Sequence, residues 1–108
     1  MRGHAYYTLA ALLDGPLHGY GIIKRGEELS RGEVRLTAGT LYALLDRLAE
    51  QGLIVETGQE IVDGRARRYY ELTDAGRAEL HAEAARLEHA VSVVRERTSA
   101  VSPIARPA

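Results

Sequence analysis

The chain has 108 residues, enough for one domain with a modest core, and its 14 Lys and Arg against 15 Asp and Glu exclude a polyelectrolyte that binds nucleic acid by bulk charge. It has no cysteine, which excludes disulfides and Cys-based zinc sites and suits a reducing cytoplasm. No apolar run approaches the roughly 20 residues that span a bilayer, and Met1-Arg2-Gly3-His4 leads straight into a helical pattern, so a cytoplasmic protein without a membrane partner or signal peptide is expected.

Residues 5 to 14, AYYTLAALLD, predict a first helix with Tyr6, Leu9, Ala10 and Leu13 on one side, stopped by Gly15-Pro16. A second helix is expected from His18 to Leu29, with Tyr20, Ile23 and Leu29 facing inward and Lys24 and Arg25 outside. Either cation could touch a backbone phosphate, although a solvated surface charge is the commoner role. Ser30-Arg31-Gly32 reads as a loop, and Val34-Arg35-Leu36 as a short strand joining a later hairpin.

The next segment, LTAGTLYALLDRLAEQG, is more informative. Leu41, Leu44, Leu45 and Leu48 recur at i, i+3, i+4 and i+7, which buries one face of a helix. Thr37 is placed to cap its N-terminus, and Gly52 can take the left-handed conformation that ends it. At 100 degrees per residue, Gly39, Ala43, Asp46 and Glu50 lie opposite the leucines, with Tyr42 on one flank and Thr40 and Arg47 on the other. The N-terminal half thus exposes only Ala38, Gly39, Thr40, Ala43 and Tyr42, a surface that can enter a major groove closely. A plain solvated face of a core helix has the same pattern.

A ribbon follows. Leu53, Ile54 and Val55 begin one strand, Asp63-Gly64 has turn chemistry, and Arg67 to Leu72 returns as a second strand. Arg65, Arg67 and Arg68 cluster at or just after the turn, where guanidinium groups suit phosphate or a narrow minor groove. Charge at a hairpin tip also keeps a strand edge soluble. Helix, helix, short strand, helix, hairpin is the winged helix-turn-helix order. Residues 1 to 72 hold nine Lys and Arg against ten Asp and Glu, so binding has to rest on where charge is placed, and on a dimer for affinity.

From Thr73 to about Thr98, Leu80, Ala84, Leu87, Val91, Val94, Thr98 and Val101 alternate steps of four and three. This heptad seam is about 33 Å long at about 1.5 Å per residue, more than so small a core can cover. A second copy is the expected cover, with Tyr6 and Leu9 of the first helix and Leu80, Ala84, Leu87, Val91 and Val94 at the dimer interface. The domains expected are 1–72 for DNA binding, 73–100 for dimerisation and 101–108 as a disordered tail. His81 and His89 are eight residues apart, about 80 degrees around a helix, and form no metal pair. His4 and His18 are isolated, and all four read as surface or capping residues. There is no phosphate loop and no nucleophile, base and acid set, so neither an enzyme nor a cofactor is expected.

HGYGIIKRGEELS, LTAGTLYALLDRLAEQGLI and GRARRYYELTDAGRAEL together resemble the PadR family of bacterial transcriptional regulators, in its short form with a single C-terminal helix, over roughly residues 5 to 90. The resemblance implies a mainly α fold with a small β-wing (α+β) and a dimeric repressor on an inverted-repeat operator, released in some members by a small molecule. It places DNA reading at Thr37, Ala38, Gly39, Thr40 and Tyr42, with the wing at Arg65, Arg67 and Arg68, beside Arg47 and Lys24 from the helical reading. Ala38 and Ala43 stand where relatives often carry proline. Members that bind flat drugs stack them on aromatic side chains between the C-terminal helices. Here no Trp, Phe or Tyr follows Tyr70, so only a small hydrophobic effector in a slot of Leu, Val and Ala is compatible. The alternative is a winged-helix adaptor or antirepressor that binds protein and not DNA.

Overall fold

The computed structural model describes residue 1 and residues 3–105, with side-chain surroundings up to residue 98. The elements are α1 (Gly3–Ala11), β1 (Leu17–His18), α2 (Gly19–Leu29), α3 (Ala38–Glu50), β2 (Ile54–Val62), β3 (Arg65–Leu72) and α4 (Asp74–Ala105). The three strands form an antiparallel sheet in the order β1-β3-β2. No described helix is long and apolar enough to cross a membrane.

Helix α3 is the centre of the core. Leu41, Leu44, Leu45 and Leu48 are buried among Leu9, Leu12, Ile22, Ile54, Tyr70 and Leu80. Its ends are built as the residues require. Thr37 Oγ1 accepts the Thr40 N–H at 3.3 Å, and at the other end Gly52 N–H reaches Ala49 O and Leu53 N–H reaches Leu48 O, both at 3.0 Å. That pair of bonds needs a left-handed residue between helix and strand, and Gly52 supplies it at φ +75°.

The hairpin turn has positive φ at both central residues, Asp63 at +52° and Gly64 at +76°, which matches the twist of the flanking strands. The ladder pairs Val62 with Arg65 and Ile54 with Leu72, with a bulge between Glu56 and Gly58.

Several details differ from the expectations. Helix α1 ends at Ala11, and Leu12 and Leu13 continue as a tight turn bonded back to Leu9 and Ala10. Its inward face is Thr8, Leu9, Ala11 and Leu12, while Leu13 is exposed. Helix α2 turns Gly19, Ile22 and Gly26 inward, so Tyr20, expected inside, stands 70% exposed, and Leu29 is also exposed. Two glycines allow the helix to approach its neighbours closely, and this close approach decides the face. Val34–Leu36 is no strand: the Val34 N–H is taken by Ser30 Oγ at 2.9 Å and the Arg35 side chain is tied to Gly32 O, which holds the segment to its own turn. The third strand is instead Leu17–His18, paired with Tyr70 and Tyr69.

Helix α4 starts from a joint shared with α3. Thr73 Oγ1 donates to Gly52 O at 2.6 Å and accepts the Gly76 N–H at 3.0 Å, while Thr73 N–H donates to Leu53 O at 3.1 Å. A Cβ on Gly76 would overlap the Leu53 carbonyl. The helix packs on α1 and β3 and then continues to Ala105, past the expected end near residue 100 and through Pro103. The rest of the expected tail, 106–108, lies outside the described residues, as does the side chain of Val101.

Candidate nucleic-acid interface

The N-terminal half of α3 is bare. Thr37, Ala38, Gly39, Thr40 and Ala43 are all exposed, and nothing lies within 4 Å of a Cβ built on Gly39. Tyr42 flanks this face and leans over the first turn of α2, where a Cβ on Gly19 would come within 2.6 Å of its hydroxyl.

Between this face and the wing lies a cleft of about 590 Å³, lined by His18, Gly19, Tyr20, Tyr42, Val62, Asp63 and Arg65 to Arg68. It gathers the three arginines of the sequence motif with Tyr42. Arg68 lies 4.0 Å from Glu56, whereas Arg65 and Arg67 have no ion pair among the described residues. Burial raises the pKa of the Tyr70 hydroxyl despite the Arg68 guanidinium beside it. Tyr69 donates to Glu60 Oε1 at 2.8 Å, and this bond to a carboxylate raises the pKa of its phenol above the usual value. The wing therefore answers two of its own acidic groups internally and leaves two guanidinium groups for a partner.

Two predicted contact residues stand apart from this cleft. Arg47 lines shallow grooves beside His4, Ala5 and Thr40 and beside Gln51, Glu79 and Arg86, on the α1 and α4 side of α3. Lys24 shares another groove with Asp14, Gly15 and Arg25. Conversely, Tyr20 and His18 belong to the cleft although neither was predicted there. The signal for Tyr20 lay in Gly19 and Gly26, whose small size marks the buried face of α2 and turns Tyr20 outward.

The residues predicted for dimerisation divide in two. Leu9 is 0% and Leu80 4% exposed, so the chain's own core already uses them and neither is free for a partner. Leu87, Val91 and Val94 are exposed at 45%, 46% and 65%, and a groove of about 600 Å³ runs between Tyr6 and the α4 residues Ala84, Leu87 and Val91. Between these two sets Glu83 is buried, with Arg86 Nε and Nη2 donating to its Oε1 at 2.9 and 2.6 Å. That pairing holds its carboxyl below the usual carboxylate range. No group of three or more His, Asp or Glu among the described residues could hold a metal ion.

Residues 8–82 match the transcriptional regulator PadR-like family. The chain belongs to this family. It is 49% identical over 67 residues to the transcriptional regulator Rv3488 of Mycobacterium tuberculosis, a stretch that covers 62% of this chain and 59% of that protein, so the match spans under two thirds of the relative's length. Among solved structures, Bacillus subtilis PadR in complex with operator DNA is similar at 29% identity and a TM-score of 0.65, over 75% of this chain and 46% of that one. A PadR family regulator from Clostridium difficile is similar at 26% identity and a TM-score of 0.72, over 88% and 97% of the two chains. The α+β winged fold of this PadR-like chain is the one shared by these structures.

Proposed function

We propose that this PadR-like protein is a dimeric, sequence-specific repressor that acts in the cytoplasm on a double-stranded operator, and not an enzyme. The observation that carries the reading is the bare face of α3 beside a cleft holding Arg65, Arg67 and Arg68. In this reading Thr37 to Thr40 and Tyr42 enter the major groove and the wing arginines take phosphate or the adjoining minor groove. Tyr6, Ala84, Leu87, Val91 and Val94 meet the same residues of a second copy, which sets two reading heads on an inverted repeat with half-sites about one helical turn apart. The slot between Tyr6 and Leu87 is where a small hydrophobic effector would enter. Arg47 and Lys24, outside the cleft, are at most peripheral phosphate contacts.

The test is a polarisation titration with the DNA upstream of the protein's own coding region, at several salt concentrations and against unrelated competitor. Tight, competitor-resistant binding by two chains is expected. Arg65→Ala with Arg67→Ala should weaken binding on every sequence and reduce the salt slope by about 0.9 for each phosphate that is no longer neutralised. Unchanged affinity in that double variant would remove the wing from the interface and favour the adaptor reading, in which the arginines face an acidic protein surface.

A further inference from the structure

We propose that His18 donates a hydrogen bond from Nε2 to a DNA backbone phosphate seated in the cleft between α2, α3 and the wing, and that its capping role is what makes it a donor there. The inference rests on the DNA reading above and adds a contact that carries no charge.

His18 is the N-cap of α2: its Nδ1 accepts the Gly21 N–H at 3.3 Å. Ser, Thr, Asp and Asn usually fill this position, and each accepts through oxygen. An imidazole accepts only through a nitrogen without a proton, so a neutral ring that caps through Nδ1 carries its hydrogen on Nε2. Among the described residues only Nδ1 of this ring is hydrogen-bonded, and His18 is one of the residues lining the cleft.

The ring is also held in place. It lies nearly parallel to Tyr20, with centroids 6.4 Å apart and 12° between planes, and edge-on to Tyr69 at 5.4 Å and 89°. Tyr69 is fixed in turn by Glu60, and the His18 backbone is paired with Tyr69 across the β1-β3 ladder. A half-turn flip of the ring would keep both aromatic contacts but put Cδ2 in the place of Nδ1 and give up the cap. Tyr20, Tyr42, Arg65, Arg67 and Arg68 share the cleft lining with it, and Asp63 is the one carboxylate residue there. A cleft so rich in donors suits an anion with several acceptor oxygens, and a phosphodiester there would be gripped from α2 and from the wing at once. Because a neutral donor displaces no counterion, its contribution should be invisible in the salt dependence that reports the arginines.

His18→Ser separates the two roles, since a serine hydroxyl can cap the helix but lacks the ring N–H. His18→Asn does the same should the serine variant fold poorly. The measurement is operator affinity against salt, combined with a scan of single methylphosphonates along the operator. The expected result is binding about tenfold weaker with an unchanged salt slope. One phosphate per half-site should be found whose neutralisation hurts the wild type more than the variant, the remainder being the share held by the wing arginines. Nitrogen NMR of the free protein should find the Nε2–H tautomer. Wild-type affinity in the variant, a dominant Nδ1–H tautomer, or weaker binding with a shallower slope would each overturn the proposal, the last because it would mean displaced arginines. A His18 resonance that responds to inorganic phosphate but not to operator would assign the cleft to a free anion and overturn the DNA contact. A wild-type protein with no DNA affinity at all would overturn the DNA reading itself.

Discussion

Helices α3 and α4 carry the same kind of apolar stripe and end in opposite conditions. The leucines of α3 are between 0% and 7% exposed, whereas the α4 stripe is buried at Leu80 and open at Leu87, Val91 and Val94. A stripe therefore states a need for cover and not its source. For α3 the cover comes from α1, α2, β2, β3 and, at Leu80, the start of α4 in its own chain. For α4 the described residues cover the stripe only up to the third turn, and from Leu87 to Val94 it stands open.

That contrast is most severely disturbed from the α3 side. Leu45→Ala should cost about 2 to 5 kcal/mol, because the site is closed on every side. Denaturant unfolding should find the loss independent of protein concentration. The matching change on α4, Leu87→Glu with Val91→Glu, should leave helical content intact and abolish self-association, which sedimentation equilibrium would read. Loss of the fold itself in that variant would mean that the open stripe is covered within the chain. A smaller effect is expected from Thr37→Ala, which removes the cap of α3 at a cost of about 1 kcal/mol and should lower the melting temperature without altering assembly.

The smallest effect concerns the point where the sealed part of α4 meets the open part. Arg86 depresses the pKa of Glu83, so the pair contributes stability that is present above the unfolded carboxylate pKa and fades as pH falls through the lower, folded one. Glu83→Gln should lower the melting temperature slightly in the neutral region, where the pair is fully formed, and flatten its acid limb. An acid limb identical to wild type would assign that loss of stability to other carboxylates.

The parts of the molecule legible in the sequence were those decided within a few residues. Thr37, the four leucines and Gly52 define α3 by local capping and periodicity, and Asp63-Gly64 defines the turn by its backbone freedom. The parts that were not legible depend on contacts between distant segments. Leu17-His18 is too short to announce a strand, and it becomes one only because Tyr69 and Tyr70 offer a free edge. Tyr20 reads as a core residue because it is large and aromatic, whereas Gly19 and Gly26, which α2 buries with Ile22, carry no side chain to announce it. At the candidate interface, the arginines and the bare face of α3 were readable from side-chain type and spacing. The separation of Arg47 and Lys24 from the cleft was not, because it depends on where α1, α4 and the wing lie around their helices.

The joint at Thr73 and Gly76 also has a mechanical side. One threonine bonds the carbonyls at the end of α3, and the first turn of α4 lies against the Leu53 carbonyl with no room for a methyl group. Such a joint acts as a weld and not as a hinge. If two copies pair through α4, a tilt of one shaft against the other cannot be absorbed where the shaft meets the head, and it swings the whole reading head through the same angle. The distance between two heads on a DNA duplex is then set at the far end of the molecule, by whatever fills the open stripe.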